Sequence, residues 1–162
     1  MKIAFFLLPK SEIVCFDNKI NVRQAIERMD YHHLSAVPMV DEAGKYIGTL
    51  SASDLLWKLK ETPSYTYTDT AKIKLSEVPL HWDVQPVHID ATVQDLMARA
   101  LNQNFIPVVD DYNTFIGIVR RREIIEYCIR SISDNPTETV AKGADSNTLT
   151  LDDLANIADA SE

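Results

Sequence analysis

Cysteine is scarce in this chain of 162 residues: Cys15 and Cys128 stand far apart, with no CxxC and no histidine at metal-ligand spacing. The reading that follows is two reduced, buried thiols in a cytoplasmic protein, with no metal site. Long apolar runs are missing too. A membrane helix needs roughly 18 such residues, and the longest run, Ile3 to Leu8, has six. That run is too short for the core of a secretory leader, and Pro9-Lys10-Ser11-Glu12 offers no small-x-small cleavage pattern. Positive charge is in deficit, with 16 Lys and Arg against 24 Asp and Glu. Residues 131–162 hold seven acids against Lys142 alone, a net charge of −6, which leaves −2 for residues 1–130. A near-neutral body without a basic face argues against a nucleic-acid binder. No Ser-His-Asp, P-loop or G-x-G-x-x-G pattern occurs, and the paired acids Asp152-Asp153 fall in the tail, so the expectation is a protein that is not an enzyme. His32-His33 are neighbours that point to different faces, which suits a surface loop better than a shared metal.

What the chain does have is an internal repeat. Pro38-Met39-Val40-Asp41 is followed by Gly48, and Pro107-Val108-Val109-Asp110 by Gly117, with identical internal spacing and an offset of 69 positions. A duplication of this kind governs any fold proposal. In the first copy Ile13-Val14-Cys15-Phe16 reads as a strand. Asn21 caps a helix with apolar positions Val22, Ala25, Ile26 and Met29. Ala36 to Val40 and Tyr46 to Leu50 form a hairpin about Glu42-Ala43-Gly44-Lys45, and Ser51-Ala52-Ser53-Asp54 opens a second helix. In the second copy Val84 to Ile89 is strand-like, with Pro86 confining it to an edge or a strand start. Thr92 and Asp95 form a capping box, and Leu96, Met97, Ala100 and Leu101 supply the apolar stripe. A second hairpin turns at Asp110 to Asn113, and Arg120 to Glu123 leads into the last helix. Early positions match at offset 71 and late ones at 69, which predicts two residues fewer in the second helix-to-strand loop.

Each copy is thus β-α-β-β-α, too small to stand alone, so the fold class expected is α+β, two repeats packed through their sheets with pseudo-two-fold symmetry. The expected layout is residues 6–61 for repeat one, 62–75 as connector, 76–132 for repeat two, and 133–162 as an acidic, largely disordered tail with a short helix after Thr150-x-x-Asp153. Tyr65-Thr66-Tyr67 reads as a connector strand. His81-Trp82 reads first as a core-edge tryptophan at the entry to repeat two, with a place on a cleft wall as the alternative.

The two helix starts carry the chemistry. Ser51, Ser53 and the amides around them lie at a helix N-terminus that favours a phosphate, and Asp54 is an acceptor able to take both hydroxyls of a ribose. The competing reading is structural: Ser51 caps the helix with Asp54 in a capping box, and the two can hold together. Arg120, Arg121 and Arg122 crowd the other helix start, where they oppose the macrodipole. An anionic ligand would compensate them; a solvated patch paired to acids such as Glu126 is the alternative, and Glu123 either reaches a sugar or pairs with an arginine.

Leu34-Ser35-Ala36-Val37-Pro38-Met39-Val40-Asp41, Gly48-Thr49-Leu50-Ser51-Ala52-Ser53-Asp54 and their counterparts resemble the tandem CBS-domain (cystathionine-β-synthase-type) family, the paired arrangement called a Bateman module, over about residues 6–131. Phe115 to Val119 with the arginine run is similar, more weakly, to the small stand-alone CBS proteins that bind cyclic di-AMP. The resemblance implies a regulatory homodimer without a cofactor of its own. It would bind an adenine nucleotide (AMP, ADP, ATP or cyclic di-AMP) in clefts between the repeats and signal to a partner protein. It also implies that the cleft of Ser51, Ser53 and Asp54 takes its base-contacting wall from Gln85, Asn104 and Ile106, and that the arginine cleft takes its wall from Val14, Leu34 and Ser35. The alternative from another class is a ligand-free dimeric scaffold whose arginines dock an acidic partner or the chain's own tail.

Overall fold

The computed structural model describes residues 3–64 and 66–134. The predicted acidic tail and its short helix lie outside these, as do Tyr65 and both tail acids of the Asp152-Asp153 pair. Repeat one runs β2 (Phe16–Asp17), α1 (Val22–Tyr31), β3 (Ala36–Val40), β4 (Tyr46–Ser51) and α2 (Ala52–Glu61). Repeat two runs β5 (Val87–His88), α3 (Val93–Ala100), β6 (Phe105–Val109), β7 (Phe115–Arg120) and α4 (Arg121–Asp134). Ahead of both stands β1 (Leu8–Pro9). The α+β class and the β-α-β-β-α order are present in both copies.

Every residue of the repeated motif has a structural duty. Asp41 Oδ1 accepts the amides of Ala43 and Lys45, and Asp110 Oδ1 those of Tyr112 and Thr114, so each aspartate closes its own hairpin. The left-handed turn positions are Gly44 (φ 76°) and Asn113 (φ 60°). The two turns then bond to each other: Phe115 N donates to the Gly44 carbonyl and Tyr46 N to that of Asn113. Val40 and Val109 pack with Tyr46 and Phe115 in an apolar cluster where the repeats meet. Pro38 and Pro107 sit where β3 and β6 have a single neighbour, since the parallel partners β2 and β5 begin one residue later, at Met39 and Val108.

The glycines serve a different purpose, an exchange of closing segments. β1 precedes repeat one yet pairs antiparallel with β7 of repeat two, Leu8 opposite Ile118 and Pro9 opposite Gly117. Ile3 is fully buried in the core formed by Val87, Leu96, Ile106, Val108, Val119 and Ile124. Conversely Ile73, Leu75 and Val78, which precede repeat two, complete the core of Phe16, Val22, Ala25, Val37, Leu50 and Leu55. Val22 N donates to the Ile73 carbonyl and Leu75 N to that of Ile20, tying the segment down. Leu75→Ala should therefore unfold the protein about 2–5 kcal/mol more easily in urea, as truncation of a core leucine does; a change under about 1 kcal/mol would show that the segment is mere linker.

Several expectations need correction. The first strands are two residues each, Phe16–Asp17 and Val87–His88, so Ile13 to Cys15 and Val84 to Pro86 lie outside the ladders. The two-residue difference between copies falls in the helices, ten residues in α1 against eight in α3, with four residues following each. Residues after Tyr65 are no strand: Thr66 caps a 3₁₀ helix over Tyr67–Lys72. Met97 (43%) and Leu101 (79%) are exposed rather than core. The two thiols are half-buried and free, and burial pushes that of Cys15 up.

Candidate functional site

Two cavities open where the repeats meet, and they are built on the same floor: Ser35 and Ala36 from repeat one, with Asn104 and Phe105 in the equivalent positions of repeat two, line both. The first cavity, about 300 Å³, has Thr49 and Ser51 of β4 on one side and Asn102, Gln103, Trp82 and Val84 on the other. The second, about 570 Å³, has Val14 and Leu34 on its wall, Glu12, His32 and His33 at its rim, and Arg120 and Arg122. An open groove of about 970 Å³ runs along α3 beneath Trp82 and His88, away from this floor.

The segment entering repeat two is strapped over the first cavity. Asp54 is fully buried at the third position of α2. Its Oδ2 accepts the Ser51 amide (2.8 Å) and hydroxyl (2.7 Å), and its Oδ1 the His81 amide (2.9 Å) and Nδ1 (2.8 Å). Burial by itself would raise this carboxyl, but the hydrogen bonds from Ser51 and His81 prevail and hold it below its ordinary value. Tyr46 donates its hydroxyl to the Val84 carbonyl (2.7 Å) and shares a second bond with Thr49; buried there, the phenol is pushed up to about 12. Gln103 completes the strap like a short strand, its side chain accepting from Gln85 N (3.2 Å) and donating to the Gln85 carbonyl (3.1 Å).

The residues singled out by sequence distribute as follows. Ser51 and Asn104 line the first cavity, and Ser53 reaches it through a 2.8 Å bond to the Ser51 hydroxyl. Asp54 lies behind Ser51 as the capping-box acid, its oxygens engaged by Ser51 and His81. Ile106 has its side chain wholly buried in the second core, while its neighbour Phe105 lines the cavities. Gln85 flanks the groove along α3 and is absent from the first cavity's wall. Val14, Leu34 and Ser35 line the second cavity with Arg120 and Arg122, whereas Arg121 turns away, its Nε donating to the Gln103 carbonyl at 3.1 Å. Arg120 pairs with Glu123, and Arg122 with Glu126 at 2.7 Å, so the salt-bridged arrangement exists in this structure.

Sequence reasoning missed Thr49, Gln103 and Phe105 as parts of the site, and His81, read with Trp82 as a cleft-wall alternative, instead bonds to Asp54. Trp82, read first at a core edge with a cleft wall as the alternative, is 65% exposed and lines a cavity wall. It missed as well a cluster of His88, Asp90 and Asp111. There Nδ1 accepts the Asp90 amide and Nε2 donates to Asp111 (2.7 Å), so both ring nitrogens are committed to the protein itself.

Comparison with known proteins accounts for this architecture. The CBS domain model matches residues 7–61 and again residues 75–130. The chain belongs to the CBS-domain family, as a tandem pair. A crystal structure of CbpB in complex with c-di-AMP superposes with a TM-score of 0.72 at 25% identity, over 85% of this chain and 90% of that one. CbpB from Streptococcus agalactiae gives 0.68 at 25% identity, over 90% and 87%. Among curated proteins, L-aspartate semialdehyde sulfurtransferase of Methanocaldococcus jannaschii is 28% identical over 120 residues, 73% of this chain. The chain spans about a fifth, 21%, of that relative's length. Among the described residues no helix is long and apolar enough to cross a membrane.

Proposed function

We propose that this CBS pair is a non-catalytic regulatory module that binds an adenine nucleotide at the junction of its repeats and passes the bound state to a partner protein. The observation that carries the reading is the second cavity, which Arg120 and Arg122 line together with the uncharged Val14, Leu34 and Ser35. A flat base against the wall and phosphates against guanidiniums is the arrangement these residue types favour. The volume, about 570 Å³, lies within the range of small-molecule sites. The likeness to CbpB, crystallised with c-di-AMP, supports the same ligand class. Signalling requires that the ligand prefer one arrangement of the repeats over another.

Titration calorimetry with AMP, ATP and cyclic di-AMP tests this. At least one ligand should bind, and Arg120→Ala with Arg122→Ala should weaken it about tenfold or more, with a shallower salt dependence in the variant. Affinities untouched by the double change would remove the arginines from the site. Two observations favour the scaffold reading: Arg120 and Arg122 already have acidic partners on α4, and Leu56 and Trp57 of α2 are exposed, as a dimer face would require. On that reading sedimentation finds a homodimer and no nucleotide changes it.

A further inference from the structure

One surface feature is laid out alike in both repeats but filled differently. Asp17 and His88 hold the same register position, opposite Val40 and Val109 at the ends of the short parallel ladders. Two residues on, the amide of Lys19 donates to Asp17 Oδ1 (2.8 Å), and that of Asp90 to His88 Nδ1 (3.2 Å). Across the hairpin turn stand Glu42 and Asp111, each directly after the aspartate that closes its turn. In repeat one the Lys19 ammonium lies 2.6 Å from Glu42 and within reach of the Asp17 charge, so the chain carries its own cation there. Repeat two puts the Asp90 carboxylate in the place of that ammonium. Asp90 and Asp111 then both lean on the ring of His88, with Asp110 beside them.

The imidazole is oriented as a metal ligand would be. Nε2 donates to Asp111 Oδ1 at 2.7 Å and Nδ1 accepts the Asp90 amide, which puts the lone pair on Nδ1. A carboxylate holding the far N–H is the support that metal-binding histidines have, since it fixes the tautomer and makes the ring more basic. Nδ1 faces Asp90 Oδ2 at 3.7 Å. Two donors each about 2.1 Å from a tetrahedral cation stand roughly 3.4 Å apart, so this pair is about 0.3 Å from chelating geometry. One donor atom from each of His88, Asp90 and Asp111 lies within 4.8 Å of the other two. Both aspartate side chains are largely exposed and free to close that gap. His88 borders the open groove along α3, through which water reaches the remaining coordination positions. A cation would take over the amide contact of Nδ1 and leave that N–H to solvent.

We infer that His88 and Asp90, with Asp111 behind the ring, bind one divalent cation of the imidazole-preferring kind, such as zinc, nickel or cobalt, in preference to magnesium or calcium. Bound there, it does for repeat two what Lys19 does for repeat one, joining the chain after β5 to the β6–β7 turn. Sequence spacing carried no metal signal because the donors come from the end of β5, the loop beyond it and a turn some twenty residues away. The inference is independent of the nucleotide reading, and either can fail alone.

The test is calorimetry of the full chain with zinc chloride and with magnesium chloride, beside His88→Ala and Asp90→Lys, the latter rebuilding the repeat-one arrangement. Zinc should bind wild-type protein, at least about tenfold tighter than magnesium, and each substitution should weaken zinc by at least about tenfold. Asp111→Asn should weaken it by about tenfold, as loss of a supporting carboxylate does. Thiols and other histidines also take zinc, so a second readout locates the ion. Paramagnetic cobalt should broaden the ring-proton NMR signals of His88 ahead of those of His32, His33 and His81. Zinc failing to bind wild-type protein would overturn the inference. So would zinc affinity unchanged in both His88→Ala and Asp90→Lys, or broadening centred on another histidine.

Discussion

Gly117→Ala is expected to cost about 3 kcal/mol or more, enough to unfold a domain of ordinary stability. The methyl group would land 3.0 Å from the Leu8 carbonyl carbon and 2.9 Å from Leu7 Cδ1, and closer still to the Leu8 oxygen. That oxygen is backbone, part of β1 where it pairs with β7, and has no rotamer to escape into. Either β1 lifts off β7, uncovering the core around Ile3, or β7 bends. At Gly48 the equivalent methyl meets the Leu80 side-chain end at 2.5 Å, with φ at 150°. A leucine can swing aside, so Gly48→Ala should be damaging mainly through its backbone angle and less so than Gly117→Ala. Urea unfolding of both variants checks the ranking; a Gly117→Ala protein within about 1 kcal/mol of the parent would mean that β1 is not tightly seated.

Asp54→Ala should cost about 2–4 kcal/mol, combining the loss of a helix cap with buried amides left unpaired. Ser51 and His81 would each lose the acceptor for their N–H, and the strap bearing Trp82 would lose its anchor. Asp54→Asn keeps the size but can satisfy only part of this set, so it should fall between. The pH dependence has a definite sign. The folded carboxyl is held below its ordinary 3.8, so its contribution is complete above about pH 5 and is lost as pH falls through the folded value. In Asp54→Ala the acid limb of the stability curve should accordingly flatten below about pH 4 while the neutral region drops uniformly. A stability deficit that stays constant below about pH 4 would show that ionisation of Asp54 is not what the folded state depends on.

The parts legible in the sequence are those written in short-range chemistry. Asn21 with Gln24, Ser51 with Asp54 and Thr92 with Asp95 each announce a helix start and form reciprocal boxes. The hairpins follow from the repeated aspartate and the left-handed turn residues. What could not be read depends on partners distant along the chain. Nothing near Leu8 says that it pairs with Ile118, and nothing near His81 says that it meets Asp54. Strand length is hidden as well: Ile13 to Phe16 is rich in β formers, but the ladder with β3 begins only at Phe16, opposite Met39. The site suffered from parity. Ile106 and Phe105 face opposite sides of β6, and one residue of register decides which lines the cavities. Three arginines in a row likewise look equivalent, yet the junction between β7 and α4 directs Arg121 to the Gln103 carbonyl and its two neighbours to the cavity.

Because each hydrophobic core is completed by residues that lie ahead of the opposite repeat, the genetic boundary between the copies and the physical boundary between the halves do not coincide. A second repeat excised at residue 75 would keep its fold elements but leave β7 with a bare edge, its free N–H and C=O groups open to strand addition by a neighbour. The duplication is therefore not two modules joined by a tether. It is one object whose sequence order has been interleaved, and its smallest viable fragment is the pair.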